Sequence, residues 1–242
     1  MGKLTKDQLT IEIILGRLRS HLNEGRPITL YNTFNGVPIN YEAEVAMIHP
    51  DYIGLIVHPY QAVCIKEERR TYLESKSIPS LIRAYPMSID YTNQVVMLKK
   101  LKIPNKISVD LHNSWVEPEK TVRVDASSEE HPDFSAPMMQ ISVLRNNRVR
   151  VVLSVPEDFP YSRQDPISLA FRLAPSGGLL QVQGIVNSLV KIRNKNSKRL
   201  EVDGQATMGD EISILAYIAQ REDAIMAQLD EVYQKLRKGK NH

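Results

Sequence analysis

Residues Leu180–Glu211 read LQVQGIVNSLVKIRNKNSKRLEVDGQATMGDE. The stretch holds most of one strand signal, 179–192, all of a second, 198–205, and then Met208-Gly209-Asp210, which closes the strand-rich region. Asp210 suits the start of a helix, because the positive N-terminal end of a helix dipole favours a carboxylate. That helix is expected to run to about residue 237. Along it Leu215, Ile218, Glu222, Ile225, Leu229, Val232 and Leu236 are spaced 3-4-3-4-3-4, a heptad rhythm with one polar interruption at Glu222. A helix lying across a barrel mouth needs only its first two turns buried. The later apolar positions therefore call for another partner, either a second copy of the chain or the N-terminal domain.

Upstream of this stretch lie four more strand signals, 121–126, 138–144, 149–154 and 167–173, with Asn146-Asn147 and Gly177-Gly178 as turn candidates. Residues 99–120 read as a boundary: Lys99–Lys102 is a charge cluster, and Pro104, Asn105, Asn113 and Pro118 are poor strand residues. A first set precedes it: 28–32, the tight-turn dipeptide Asn35-Gly36, then 41–48, 52–57, 61–66, 70–74, 81–85, 88–90 and 94–98. No helix is expected among them, which disfavours a parallel βαβ sheet. Residues 5–24 predict an amphipathic helix with Ile11, Ile14, Leu18 and Leu22 on one face, Thr5 and Gln8 at capping-box spacing and Gly25 as its stop. The expected fold is mainly β, two small antiparallel barrels with an N-terminal helix and a long C-terminal helix. The expected divisions are residues 1–25 for the first helix, 26–103 for the first barrel, 104–120 for a linker, 121–208 for the second barrel and 209–238 for the last helix.

The chain has 242 residues, 42% of them apolar and 24% charged, with a formal net charge of +3. That is an ordinary globular composition, and the charge does not argue for nucleic acid. No apolar run approaches a bilayer span, and Met1–Lys6 has neither a signal-peptide core nor the Ser or Thr a myristoylation pattern needs at position 6; a cytoplasmic location is expected. The single cysteine, Cys64, rules out an internal disulfide and a cysteine-based zinc site, and reads as a small buried apolar residue. His21, His49, His58, His112, His131 and His242 show no metal-ligand spacing, with His49 and His58 reading as turn residues before prolines. No nucleophile elbow, phosphate loop or carboxylate pair is recognisable, so neither an enzyme nor a metal or cofactor protein is expected.

The order of two β-modules, a linker and a terminal helix, together with LQVQGIVNSLVKIRNKNSKRLEVDGQATMGDE and the following ISILAYIAQREDAIM, resembles the closing strands and terminal helix of PilZ domains. ITLYNTFNGVPINYEAEV and PYQAVCIKE resemble the PilZ-N barrel of flagellar-brake proteins. The resemblance covers about residues 28–233. It implies a receptor for cyclic diguanylate (c-di-GMP), with an R-x-x-x-R motif in the linker and a D/N-x-S-x-x-G motif on an early barrel strand. Arginine forks bind phosphates bidentately and stack on bases, and glycine lets backbone and ligand approach closely. This sequence departs from both motifs. Its linker reads Glu119-Lys120-Thr121-Val122-Arg123, so Arg123 matches and Glu119 replaces the first arginine. Its strand reads Gln140-Ile141-Ser142-Val143-Leu144-Arg145, so Ser142 matches while Gln140 and Arg145 replace the acidic residue and the glycine.

Three readings follow. In one, c-di-GMP is still bound, with Arg123 on phosphate, Ser142 on a base, and Lys120 and Arg145 standing in for the lost arginine beside Gln140. In the second, which is the expectation adopted, a degenerate PilZ module contacts a protein of the motility or surface-attachment machinery, and the C-terminal helix forms a homo-oligomer. In the third, nucleic acid meets Arg145, Arg148 and Arg150, the group Lys191, Arg193, Lys195, Lys198 and Arg199, and the tail Lys235, Arg237, Lys238 and Lys240. Trp115 either anchors the linker or stacks on a base.

Overall fold

The computed structural model describes residues 6–105, 111–129, 131, 133–144, 148–174 and 177–239. Two compact units emerge. The first groups residues 1–34, 38–112 and 225–242, and the second groups 35–37 and 113–224.

In the first unit, helix α1 (Lys6–Glu24) precedes β1 (Ile28–Phe34), β2 (Val37–Ile48), β3 (Tyr52–Ile56), β4 (Thr71–Ser75), β5 (Ile78–Asp90) and β6 (Val95–Lys102). The strands close in the order β1-β2-β3-β6-β5-β4, with β1 pairing back to β4 antiparallel. Closure leaves no unpaired edge. Ile28, Leu30, Ile53, Leu55, Leu73, Ile82, Val96 and Leu98 alternate inward as the pleat requires and are essentially inaccessible.

Helix α1 buries Ile14, Leu15, Leu18 and His21, whereas Leu22, expected on that face, is 37% exposed and Ile11 is half-buried. It ends as its sequence suggests. Gly25 takes φ 61° and the Arg26 N–H reaches His21 O at 3.0 Å, a closure that satisfies an orphan carbonyl. The His21 Nε2 meets Ser75 Oγ at 2.5 Å and Ser77 Oγ at 2.8 Å and its Nδ1 meets Arg26 O at 3.1 Å, so this buried imidazole is partnered at both nitrogens.

One expected strand is a helix. Residues 61–66 lie in α2 (Pro59–Glu68), so a helix does interrupt the first strand set. The pattern misled because Gln61, Ala62, Val63, Cys64 and Ile65 are all buried, which leaves no polar face to mark a helical period. The start signal was His58-Pro59: proline suits the first helical position, and the His58 side chain caps the helix by accepting from the Tyr60 N–H at 3.3 Å. Burial, with Glu68 and Glu67 nearby, pushes the Cys64 thiol well above its ordinary range. It is an inert core group.

The His58 cap carries a pH prediction. Its ring stacks on Tyr41 at 3.7 Å and 7°, and burial lowers its pKa below 6.5. A histidine lowered on folding contributes stability that is present above the unfolded pKa and lost as pH falls through the folded one. Protection of the α2 amides, relative to their intrinsic exchange rates, should therefore fall as the pH drops below the ordinary histidine range. His58→Asn keeps the capping acceptor and should flatten that dependence in hydrogen-exchange NMR.

The charge cluster Lys99–Lys102 lies within β6 rather than in a boundary, accommodated where Lys100 takes φ 56°. β5 joins the expected strands 81–85 and 88–90, and its register shifts beside Pro86, as a proline in a ladder requires.

The second unit carries β7 (Trp115–Val116), β8 (Arg123–Ser127), β9 (Phe134–Val143), β10 (Val149–Pro156), β11 (Pro166–Phe171), β12 (Leu180–Lys191) and β13 (Ser197–Ala206). The order β10-β13-β12-β11-β8-β9 closes through a β9–β10 pairing, with β7 added on β9. Val124, Ile141, Val149, Val151, Leu153, Val182, Val186, Leu200 and Val202 fill it. Gly184 and Gly204 face each other across β12 and β13.

Helix α3 (Met208–Lys238) follows. Its cap is Thr207, whose Oγ1 accepts from the Asp210 N–H at 3.3 Å; Asp210 instead takes the Gln181 N–H at 3.1 Å. Its buried stripe is Ile214, Ile218, Ile225, Leu229 and Tyr233. Ile225 and Leu229, for which a second copy or the N-terminal domain were the two expected partners, are buried within one chain, and Leu215 is 43% exposed. No helix is long and apolar enough to cross a membrane among the described residues.

Candidate functional site

Two places on the second unit receive the residues singled out from sequence. The first is the outer face of β9, β10 and β13. There Arg150 lies opposite both Asp203 and Ser142. Its guanidinium binds Asp203 through both carboxylate oxygens, Nε to Oδ1 at 2.6 Å and Nη2 to Oδ2 at 2.8 Å. Asp203 is only 7% exposed, so this fork is a fixed part of the face. Gln140 Oε1 accepts from Arg199 Nη2 at 2.9 Å, and Arg199 Nε also reaches Glu201 at 3.0 Å. Ser142 is 5% exposed, flanked by Trp115 on β7 and Arg150 on β10. Trp115 itself donates its backbone N–H to Gly36 O at 3.1 Å.

This pairing bears on the basic clusters. Arg150 is neutralised by Asp203, Arg148 lies 4.0 Å from the same carboxylate, Lys191 Nζ meets Glu157 Oε1 at 2.5 Å, and Arg199 is held by Gln140 and Glu201. The β9–β10–β13 face thus offers few free cations to a phosphate backbone, whereas Arg193 and Lys195 of the second cluster are exposed and form no ion pair among the described residues. Arg145 lies outside the described residues.

The second place is a hollow of about 550 Å³ beside β8, β11 and the first half of α3. Lys120, Arg123, Arg172 and Arg221 bring four positive charges to it, and Glu119 and Asp125 two negative ones. Arg123, Asp125, Ala170 and Arg172 share the outer face because Asp125 pairs with Ala170 across β8 and β11. Tyr217, Gln220, Arg221 and Ala224 fall on one side of α3 at helical spacing. Leu173 and Leu179 supply apolar surface, and the buried Phe171 lies beneath.

Thus Arg123 and Lys120 meet in the hollow, while Gln140 and Ser142 belong to the β9–β10–β13 face, and the structure does not bring the two pairs into one lining. Glu119 faces Arg221 at 3.9 Å. The sequence reading passed over Arg172, Arg221 and Tyr217. Arg221 had a signal, since it falls between Ile218 and Ile225 on the helix's apolar stripe, and a cation there invites the question of what it pairs with. Among the described residues no group of three or more His, Cys, Asp or Glu is placed to hold a metal ion.

An antiparallel two-barrel protein with a cationic hollow on its second barrel is thus the class that fold and site define. No protein-family model matches the chain, and no curated protein sequence matches it. Among solved structures it is similar to the inhibitor of motility MotI/DgrA of Bacillus subtilis, at 11% identity and a TM-score of 0.43, over 81% of this chain and 95% of that one. It is also similar to YcgR of Escherichia coli in complex with c-di-GMP, at 11% identity and a TM-score of 0.42, over 94% and 96%. The MrkH–c-di-GMP complex of K. pneumonia is similar at 13% identity and a TM-score of 0.35, over 94% and 97%.

Proposed function

We propose that the chain is a PilZ-like signalling adaptor of the cytoplasm, in c-di-GMP-linked control of motility or surface attachment, acting mainly by contact with a protein of that machinery, with nucleotide binding weak or lost. The observation that carries this reading is the state of the motif positions. Gln140 is already held by Arg199, Ser142 is covered, and Arg123 lines a separate hollow beside a carboxylate at Glu119. A ligand spanning the motif would have to break the Arg199 contact and tolerate Glu119 in place of an arginine. Losing one bidentate phosphate contact alone costs about 1.5–3 kcal/mol, a tenfold to hundredfold loss of affinity.

A protein contact has surface to use. Met208, Ile212 and Leu215 are 81%, 60% and 43% exposed and fall on one side of α3, opposite the side that lines the hollow. The full-length chain, used as bait without nucleotide, should retain a partner from the motility or attachment machinery. Ile212→Asp should lose it at unchanged melting temperature. Retention that requires added c-di-GMP, or that survives Ile212→Asp, contradicts this reading.

A further inference from the structure

Arg221 is the least exposed cation of the hollow. Its side chain is 17% accessible, its Nε is fully buried with no hydrogen-bond partner, and its one carboxylate neighbour among the described residues, Glu119, stands at 3.9 Å, beyond hydrogen-bonding distance. A guanidinium this far out of water normally has its donors satisfied, because an unmet buried charge is costly. Around it Arg123 and Lys120 are exposed and form no ion pair among the described residues, and Arg172 spends one N–H on Gly177 O at 2.7 Å. Tyr217, Leu173 and the half-exposed Leu179 supply ring and aliphatic surface in the same lining. The volume of about 550 Å³ falls within the roughly 300–1,000 Å³ of small-ligand sites.

We propose that this hollow binds a phosphomonoester carrying a planar ring, with the phosphate dianion taken by Arg221 together with Arg123, Lys120 and Arg172, and the ring against Tyr217 and Leu179. A planar fork reads phosphate bidentately, and a terminal dianion reaches a recessed guanidinium better than a bridging diester does. Glu119 opposes the phosphate and sets a modest affinity. The site uses neither Gln140 nor Ser142, and it lies on the opposite side of α3 from Ile212, so it stands apart from the adaptor reading.

The test is calorimetric titration of the full chain with GMP at low salt, with guanosine and inorganic phosphate in parallel. GMP should bind saturably with a Kd below about 1 mM, guanosine should give no heat, and phosphate should bind more weakly than GMP. Arg221→Met should weaken GMP at least tenfold without lowering the melting temperature, since it removes a cation whose buried Nε has no hydrogen bond to lose. Glu119→Gln should strengthen GMP several-fold. Absence of saturable GMP heat, unchanged GMP affinity in Arg221→Met, or a lowered melting temperature in that variant would each overturn the proposal, the last by making Arg221 a structural partner of Glu119. Loss of partner capture in Ile212→Asp with GMP binding intact would separate the two readings.

Discussion

Gly204→Ala should lower the melting temperature by about 10 °C or more, the consequence of a loss of about 3 kcal/mol or more. Gly184 and Gly204 are register partners on β12 and β13. A Cβ on Gly204 would stand 2.5 Å from Gln183 O and 2.7 Å from Val182 Cγ1. On Gly184 it would stand 2.5 Å from Asp203 O and 2.7 Å from the Gly204 Cα. In both cases the obstruction includes backbone of the neighbouring strand, which moves only if the ladder opens. That ladder joins the two strands that complete the second barrel, and Asp203 beside it anchors Arg150. Gly178→Ala is the control, because a Cβ there meets nothing within 4 Å. Thermal unfolding followed by circular dichroism reads both, and a Gly204→Ala protein that melts with the parent would refute the packing described for these strands.

Asn32→Ala should cost about 3–4 kcal/mol, read as a shift in the urea midpoint at constant slope. Asn32 is inaccessible to solvent and holds α2 to β1. Its Oδ1 accepts from Gln61 Nε2 at 2.7 Å, and its Nδ2 donates to Arg70 O at 2.8 Å and Glu68 Oε2 at 3.1 Å. Glu68 in turn takes the Thr33 N–H at 2.7 Å and the Thr33 hydroxyl at 2.6 Å. Truncation strands the Gln61 amide, whose own Oε1 is already unbonded, and leaves a cavity beside it. The exposed Asn23→Ala on α1 should stay within about 0.5 kcal/mol of the parent. Equal midpoints for the two variants would show that the network contributes nothing.

The strands were legible because they alternate and are bounded by turn residues. Asn35-Gly36 takes positive φ at both positions, 48° and 85°, as a tight turn between β1 and β2 needs. Helix α2 was not legible, because a helix buried all round shows no period, and its β-branched and cysteine content mimics a strand. The heptad on α3 marks which turns are apolar, and a spacing alone does not say what covers them. The apolar turns at Ile225 and Leu229 are used within the chain, and the turns left open are at Met208 and Ile212. For the site, sequence found Arg123 and Lys120 by motif, yet a motif aligns residues along a chain and says nothing of which strand face they share. Arg172 comes to the hollow through β11 and Arg221 through α3, and their convergence depends on barrel closure and the path of the helix, which no local pattern encodes.

Calorimetric titration of the full chain with c-di-GMP tests the adaptor reading most directly. The account predicts no saturable heat in the micromolar range and no ligand-dependent rise in melting temperature. Saturable micromolar binding that disappears in Arg123→Ala would contradict it, and would make the chain a receptor whose site has been rebuilt around Glu119 and Gln140.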